Sequence, residues 1–323
     1  MSTKSALRIQ AILCKYYKEV SVCTVNTADD LMRLVARNPD LVFPGCKQVR
    51  TNGEHSSPIW LADYLDANDI QYMGTQSYGM KLDFDKASAK YFVQNAGLNT
   101  TKFFTTVPGQ YASKAKLPFS LPFFIKPLNG GGGGGIGDDS VARTLEEFTA
   151  KVAAIYESHG SASLVEEYLT GREFSVAILT DNTENGRIFM PIEIITEKNY
   201  RGDRILGARV KHEDHELVTI IDDVKLKAEL CDFANTAFNA LGGRDYARID
   251  IRMDADGNAN FLEVNFMPAP GSRYFAGAFL ANKNTSYAAL LLDMVELAFD
   301  RMQESAELVS SVGTLFVSTA VAI

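Results

Sequence analysis

The chain has 323 residues, 46% hydrophobic and 22% charged, enough to bury large cores and to divide into two or three domains. A net charge of −8 with no basic stripe excludes nucleic acid as the main partner. Four cysteines without CxxC spacing (Cys14, Cys23, Cys46, Cys231) and no secretory pattern, since Lys15 and Lys18 interrupt the only early apolar stretch, lead to the expectation of a cytoplasmic protein without membrane association.

In chain order, Asp29 to Arg37 reads as a helix, Asp40 to Pro44 as a short strand and Pro58 to Ala67 as an amphipathic helix. Ile70 to Gly74 reads as a strand ending in a turn, and Phe84 to Ala96 as a helix capped by Gly97. Helices follow at Leu145 to His159, Val224 to Leu241 and Ser286 to Met302. Ser163 to Ile178 reads as a hairpin, with a turn at Thr170-Gly171. The polar stretch from Lys198 to Lys211, with His212-Glu213-Asp214-His215 after it, reads as a mobile lid. These elements give an α/β fold in three units: residues 1–78, 79–174 and 175–303, followed by an apolar tail, 304–323. Leu308 to Ile323 carries no charge and is shorter than the roughly 20 residues that span a bilayer. It is expected to pair with a sheet edge of its own chain or of a second copy, which raises a homodimer as an expectation.

Two segments carry chemistry. The first is Arg248-Ile249-Asp250, then Asp256-Gly257, then Glu263-Val264-Asn265. Asp256-Gly257 between alternating apolar runs predicts a tight turn, so that paired residue numbers sum to about 513. Asp250 then faces Glu263, and Arg248 faces Asn265, all four on one face, with Ile249, Ile251, Leu262 and Val264 on the other. Two carboxylates and a carboxamide beside a guanidinium suit Mg²⁺ and the phosphates it bridges, while a solvated face of cross-strand ion pairs would show the same pattern. The second is Phe123-Phe124-Ile125-Lys126-Pro127, an apolar strand delivering a lysine, followed by six glycines, Gly130 to Gly135. Backbone N–H groups without side chains around them can cradle phosphates, although the lysine does not follow the glycines as in the Walker pattern. Ser163 to Ile178 offers a strand edge to read a purine and, beyond the turn, a carboxylate to bind ribose hydroxyls; an acidic surface hairpin is the alternative.

In order and interval these segments resemble the ATP-grasp superfamily, and within it the D-alanine–D-alanine ligase branch, from about Gly53 to about Arg301. The matching elements are Gly53-Glu54, Asp85-Lys86, Ile125-Lys126-Pro127 with the glycine loop, Glu166-Glu167-Tyr168-Leu169 to Gly171-Arg172-Glu173, Arg248-Ile249-Asp250 and Glu263-Val264-Asn265. The resemblance implies an ATP-grasp fold with the nucleotide between the central and C-terminal units. It implies that Lys86, Lys126 and the loop glycines Gly131, Gly132 and Gly133 contact ATP phosphates. Glu166, Glu167 and Leu169 would line the adenine pocket, mostly through backbone and carbonyl groups, and Glu173 would hold the ribose. Lys211 is the candidate for a lid lysine, and Asp250, Glu263 and Asn265 for the ligands of two Mg²⁺ or Mn²⁺ ions. Arg248, with Lys126, would stabilise the charge of an acyl phosphate and of the tetrahedral intermediate that follows it.

The chain departs from that branch at its amino-acid sites. Ala6 to Leu13 and Cys14-Lys15-Tyr16-Tyr17 stand where those ligases carry a Gly-Gly…Ser…Glu segment after the first strand. Phe43-Pro44-Gly45-Cys46-Lys47 stands in place of a His-Gly loop, and Gly132 and Gly133 in place of a serine pair. The segment after Asn265 is longer and contains Gly271, Ser272 and Arg273, weaker candidates for substrate contacts, with Arg273 a receptor for a carboxylate. The expectation is an ATP-dependent carboxylate–amine ligase acting on an amino acid or peptide-like acid other than D-alanine. An ATP-grasp phosphotransferase and a nucleotide-binding regulatory protein are the alternatives.

Overall fold

The computed structural model describes residues 1–50, 57–111, 113–181, 186–305 and 314–319. The predicted Gly53-Glu54 element lies outside the described residues, as do residues 306–313 and 320–323 of the tail.

The N-terminal elements are α1 (Thr3–Leu13), β1 (Glu19–Thr24), α2 (Ala28–Ala36), β2 (Leu41–Phe43), β3 (Gln48–Val49), β4 (Ile59–Trp60) and α3 (Leu61–Asp66). Ala6, Ile9 and Leu13 recur at helical spacing and bury one face of α1. A capping box starts α2: the Thr27 hydroxyl accepts from the Asp30 amide, and the Asp30 carboxylate accepts from the Thr27 amide. The helix expected from Pro58 begins only at Leu61, because Ile59 and Trp60 pair with Val49 and Gln48. Ile70 to Gly74 forms no strand; Tyr72 makes a single parallel bridge to Val42.

The middle of the chain holds α4 (Ser77–Phe84), α5 (Lys86–Asn95), β5 (Phe103–Thr106), β6 (Phe123–Pro127), β7 (Val141–Ala142), α6 (Leu145–His159) and β8 (Ser163–Glu167). The helix expected from Phe84 starts at Lys86, since Asp85 is extended and caps α5 by accepting from the Ala87 and Ser88 amides. Its strands form an antiparallel sheet in the order β5-β8-β6-β7, and α6 packs on it through Phe148, Val152 and Ile155.

The rest comprises β9 (Glu173–Thr180), β10 (Arg187–Ile195), α7 (Ala208–Glu213), β11 (Leu217–Ile220), α8 (Val224–Ala240), β12 (Tyr246–Met253), β13 (Ala259–Asn265), α9 (Ala276–Lys283), α10 (Tyr287–Ser305) and β14 (Thr314–Thr319). An antiparallel sheet runs β11-β10-β9-β12-β13. Alternation along β9 sends Phe174, Val176 and Ile178 to a core with α8, and Ala177 and Leu179 to a second core with α9, α10 and α1.

The expected hairpin at Ser163 to Ile178 does not form. Its two strands belong to different sheets, β8 lying between β5 and β6, and β9 between β10 and β12. Gly171 marks a close approach instead of a hairpin turn: a Cβ there would lie 2.5 Å from the Met253 carbonyl oxygen, and the Met253 amide donates to the Arg172 carbonyl at 2.9 Å. Residues 168–172 therefore join the two sheets across the site described below.

Strand β14 runs parallel to β1 and β2 and lies between them, Val317 pairing with Val22 on one side and Phe43 on the other. It occupies the centre of that sheet, within its own chain, rather than an edge. A chain ending at Ser305 is expected to keep the five-stranded sheet but to lose hydrogen-exchange protection at Val20 to Cys23 and Leu41 to Phe43. Exchange mass spectrometry on the truncated chain checks this.

Candidate active site

The register expected for the metal hairpin holds at its functional end, with Arg248 opposite Asn265 and Asp250 opposite Glu263. A β-bulge follows, and Ile251 pairs with Phe261, not with Leu262. Leu262, expected in the core, thus joins Glu263 in lining a cavity, while Phe261 is fully buried in the core instead. On the other side of β12, Asp250 pairs with Ser175 and Arg252 with Glu173. Arg248, Asp250 and Arg252 therefore share one face, as alternate residues of a strand must.

Asp250 is the hub of that face. Arg248 grips it with two hydrogen bonds, Nε to Oδ1 at 2.9 Å and Nη2 to Oδ2 at 2.8 Å. The Ser175 hydroxyl donates to Oδ1 at 2.6 Å, and the Asn265 amide to Oδ2 at 3.3 Å. Glu263 stands 4.0 Å from Lys126 Nζ. Burial would raise the Glu263 carboxyl, but Lys126, Lys86, Lys211 and Arg248 together hold it well below the usual carboxylate range. Two carboxylates and a carboxamide are hard oxygen donors that fit Mg²⁺, and they are few enough to leave positions for phosphate oxygens and water. The guanidinium of Arg248 is the cation that Asp250 holds in this structure.

Sequence reasoning missed the partner of Lys126. Glu166 is buried, and its two oxygens are divided between two ammonium groups, Lys126 at 2.9 Å and Lys90 at 2.5 Å. Lys90, on α5, is fully buried and also donates to the hydroxyls of Thr100 (2.8 Å) and Thr101 (3.1 Å) and to the Phe261 carbonyl (3.1 Å). Burial pushes the Lys90 ammonium down to about 8 against the pull of Glu166. Burial also acts to raise Glu166, but Lys126 and Lys90 outweigh it and bring the carboxyl to about 2. The side chain of Glu166 thus holds the lysines, while Glu167 and Leu169 join it in lining the cavity. A lysine one helical turn beyond Lys86 on an otherwise apolar face was the available signal.

In the glycine loop, Gly130, Gly132, Gly133 and Gly135 all have positive φ, a conformation open to residues without a Cβ. Lys86 Nζ donates to the Gly130 carbonyl at 2.5 Å. The loop meets the lid backbone to backbone: a Cβ on Gly133 would lie 3.3 Å from the Ala208 nitrogen, and one on Gly207 would lie 2.7 Å from the Ile136 oxygen. Lys211, expected in a loop, sits in the short helix α7 and lines the same cavity as Lys126. Phe124, Ile136, Leu206 and Leu262 supply the apolar surface of that cavity, with Tyr168 stacked on Phe124 at 6.4 Å. Glu173 lines the same cavity and pairs with Arg252 at 3.2 Å.

The three weaker candidates lie elsewhere. Arg273 is paired with Asp214 (3.1 Å) and Glu216 (3.3 Å), so its charge is already matched within the chain. The Ser272 hydroxyl accepts from the Phe275 amide, and Gly271 packs against Tyr287. Tyr274, next to them, donates to Glu216 at 2.6 Å and turns its ring toward Arg248 and Lys211.

One cavity thus brings Lys126, Lys211, Asp250, Glu263 and Glu173 together with the apolar side chains of Phe124, Ile136, Leu206 and Leu262. The sequence profile of the family described as D-ala D-ala ligase C-terminus matches residues 92–296, and the chain belongs to that family, within the ATP-grasp superfamily. Membership places it among the ATP-dependent ligases that form C–N bonds. Among its relatives, the D-alanine–D-alanine ligase of Desulfotalea psychrophila is 26% identical over 303 residues, covering 93% of this chain and 91% of that protein. That of Oceanobacillus iheyensis is 27% identical, covering 90% and 76%. In fold, the chain is similar to the D-alanine–D-alanine ligase from Bacillus anthracis complexed with ATP (TM-score 0.70, 18% identity, 95% of this chain and 97% of that one). It is also similar to the VanG D-Ala:D-Ser ligase from Enterococcus faecalis (TM-score 0.61, 23% identity, 80% and 73%). Among the described residues no helix is long and apolar enough to cross a membrane.

Replacing Glu166 by Gln leaves two buried ammonium groups without their carboxylate, and a loss of about 3–5 kcal/mol of stability is expected. The native Glu166 carboxyl, at about 2, lies below its ordinary 4.5. Its contribution is therefore complete above pH 4.5 and is lost as pH falls toward 2. Urea titrations of wild type and E166Q between pH 7 and pH 3 should show the gap between them closing below pH 4.5.

Proposed function

We propose that the chain is an ATP-dependent carboxylate–amine ligase that makes an amide through an acyl phosphate, and that its acid substrate is an amino acid or related small acid other than D-alanine. The observation that carries the ligase reading is that Lys126, Lys211, Asp250 and Glu263 line one cavity with apolar side chains, with Arg248 paired to Asp250 beside it. The substrate reading rests on the amino-acid sites. The stretch after the first strand, β1, begins Val25-Asn26-Thr27 and carries no Gly-Gly…Ser…Glu sequence, and Gly132 and Gly133 bring no hydroxyl to the acid.

A carboxylate is a poor acyl donor because oxide is a poor leaving group. Attack of its oxygen on the γ-phosphorus of ATP releases ADP and gives an acyl phosphate. The amine then attacks the carbonyl carbon, phosphate departs, and the amine nitrogen loses a proton. Each step needs charge neutralised and groups held in line, and no protein nucleophile is required. Lys126 is held by Glu166 so that its ammonium faces Glu263, and Lys86, anchored on the glycine loop, lines a cavity with both. Lys211 closes over the phosphates from the lid. Arg248, fixed by Asp250, meets the oxyanion of the tetrahedral intermediate. Asp250, Glu263 and Asn265 would hold Mg²⁺, which supplies the positive charge that offsets the transferring phosphoryl group.

The test is ADP and phosphate release from Mg·ATP against pooled L- and D-amino acids, D-alanine included, with mass spectrometry of active pools. A new amide mass from another acid supports the proposal. D-alanyl-D-alanine as the preferred product overturns the substrate reading, and a phosphorylated product without amide overturns ligation. Glu263→Gln should lower turnover roughly a hundredfold or more while leaving circular dichroism unchanged, because it removes a charge at nearly constant volume.

A further inference from the structure

Arg252 has no role in the chemistry described above, yet it is buried in the wall of the nucleotide cavity. It sits two residues beyond Asp250 on β12, directly opposite Glu173 on β9. Its Nη1 donates to Glu173 Oε2 at 3.2 Å, its Nη2 to the Arg204 carbonyl at 3.1 Å, and its guanidinium lies over the Tyr168 ring at 5.6 Å. Three walls of the cavity thus meet on this one side chain: the strand carrying Glu173, the linker carrying Tyr168, and the base of the lid. Its Nε is buried and has no hydrogen-bond partner among the described residues. Leaving a buried cationic donor unpaired is costly, and an apolar residue would fill the position without that cost.

Glu173 explains the arrangement. Burial raises this carboxyl, and Asp250 and Glu263 push in the same direction, while Arg252 leads the groups that oppose them. A carboxylate that is to accept two hydroxyl hydrogens must be ionised and must point one way.

We propose that Arg252 is a positioning residue for the ribose: it orients Glu173 so that the carboxylate accepts the 2′- and 3′-hydroxyls of the nucleotide. The inference rests on the nucleotide-site reading above, and it predicts a discrimination that packing alone does not produce. The loss caused by removing Arg252 should depend on the ribose hydroxyls.

The experiment measures dissociation constants for ATP and for 2′,3′-dideoxy-ATP by calorimetry, on wild type, R252M, R252K and E173Q. R252M is expected to weaken ATP about tenfold and dideoxy-ATP less than twofold, with E173Q giving the same pattern. R252K, which keeps a cation beside Glu173, is expected to recover part of the ATP affinity and serves as the reading if R252M does not fold. Equal weakening of both nucleotides, or no weakening of either, overturns the proposal. Wild-type protein that binds neither nucleotide overturns the nucleotide site itself and the inference with it. Wild type that binds ATP, with variants that fail to discriminate, overturns the inference alone.

Discussion

One carboxylate shared by two buried ammonium groups is the constraint on which the site depends. Lys90 and Lys126 could not both be charged where they are without Glu166 between them. The network also crosses a boundary, since Glu166 and Lys126 belong to the four-stranded sheet while the Phe261 carbonyl that Lys90 reaches belongs to the five-stranded one. A parallel bridge between Thr100 and Phe261 reinforces the same junction. The interaction that holds Lys126 at the cavity is therefore also one that ties the two sheets together.

From that junction the cleft is laid out along β12. Alternate residues on one face of a strand lie about 7 Å apart, so Arg248, Asp250 and Arg252 mark successive stations along the cleft. In the proposed reading the first serves the acyl chemistry, the second the metal and phosphates, and the third the ribose. Each is held by a neighbour on the same face: Arg248 by Asp250, Asp250 by Ser175, and Arg252 by Glu173. The glycine loop and the lid close the cleft from the other side. They touch through backbone at Gly133 and Gly207, where side chains would hold them apart.

The alternation of Arg248, Ile249 and Asp250, with the turn at Asp256-Gly257, was sufficient to place Asp250 opposite Glu263, because strand pairing near a tight turn is a local matter. Helices α6 and α8 were legible to within a residue from their apolar periodicity and their ends. Arg252 was also within reach, since the same alternation puts it on the face of Asp250. The hairpin expected around Thr170-Gly171 was not, because a glycine needed for close approach to another strand looks the same as one needed for a turn. Leu262 was misplaced for a related reason: a bulge changes the side to which a residue points without changing the residue pattern.

The amino-acid sequence alone determined the composition of the site: which residues are cationic, which offer oxygen donors, which glycines leave backbone bare, and the family to which their order belongs. Local physics writes such features into short segments. Only the tertiary structure decided the partners. That Glu166 serves Lys90 as well as Lys126, that Arg273 is matched by Asp214 and Glu216, and that β14 stands between β1 and β2 all depend on segments far apart in the chain. Burial and pairing at such distances follow from how whole sheets pack, and no short stretch of residues contains that information.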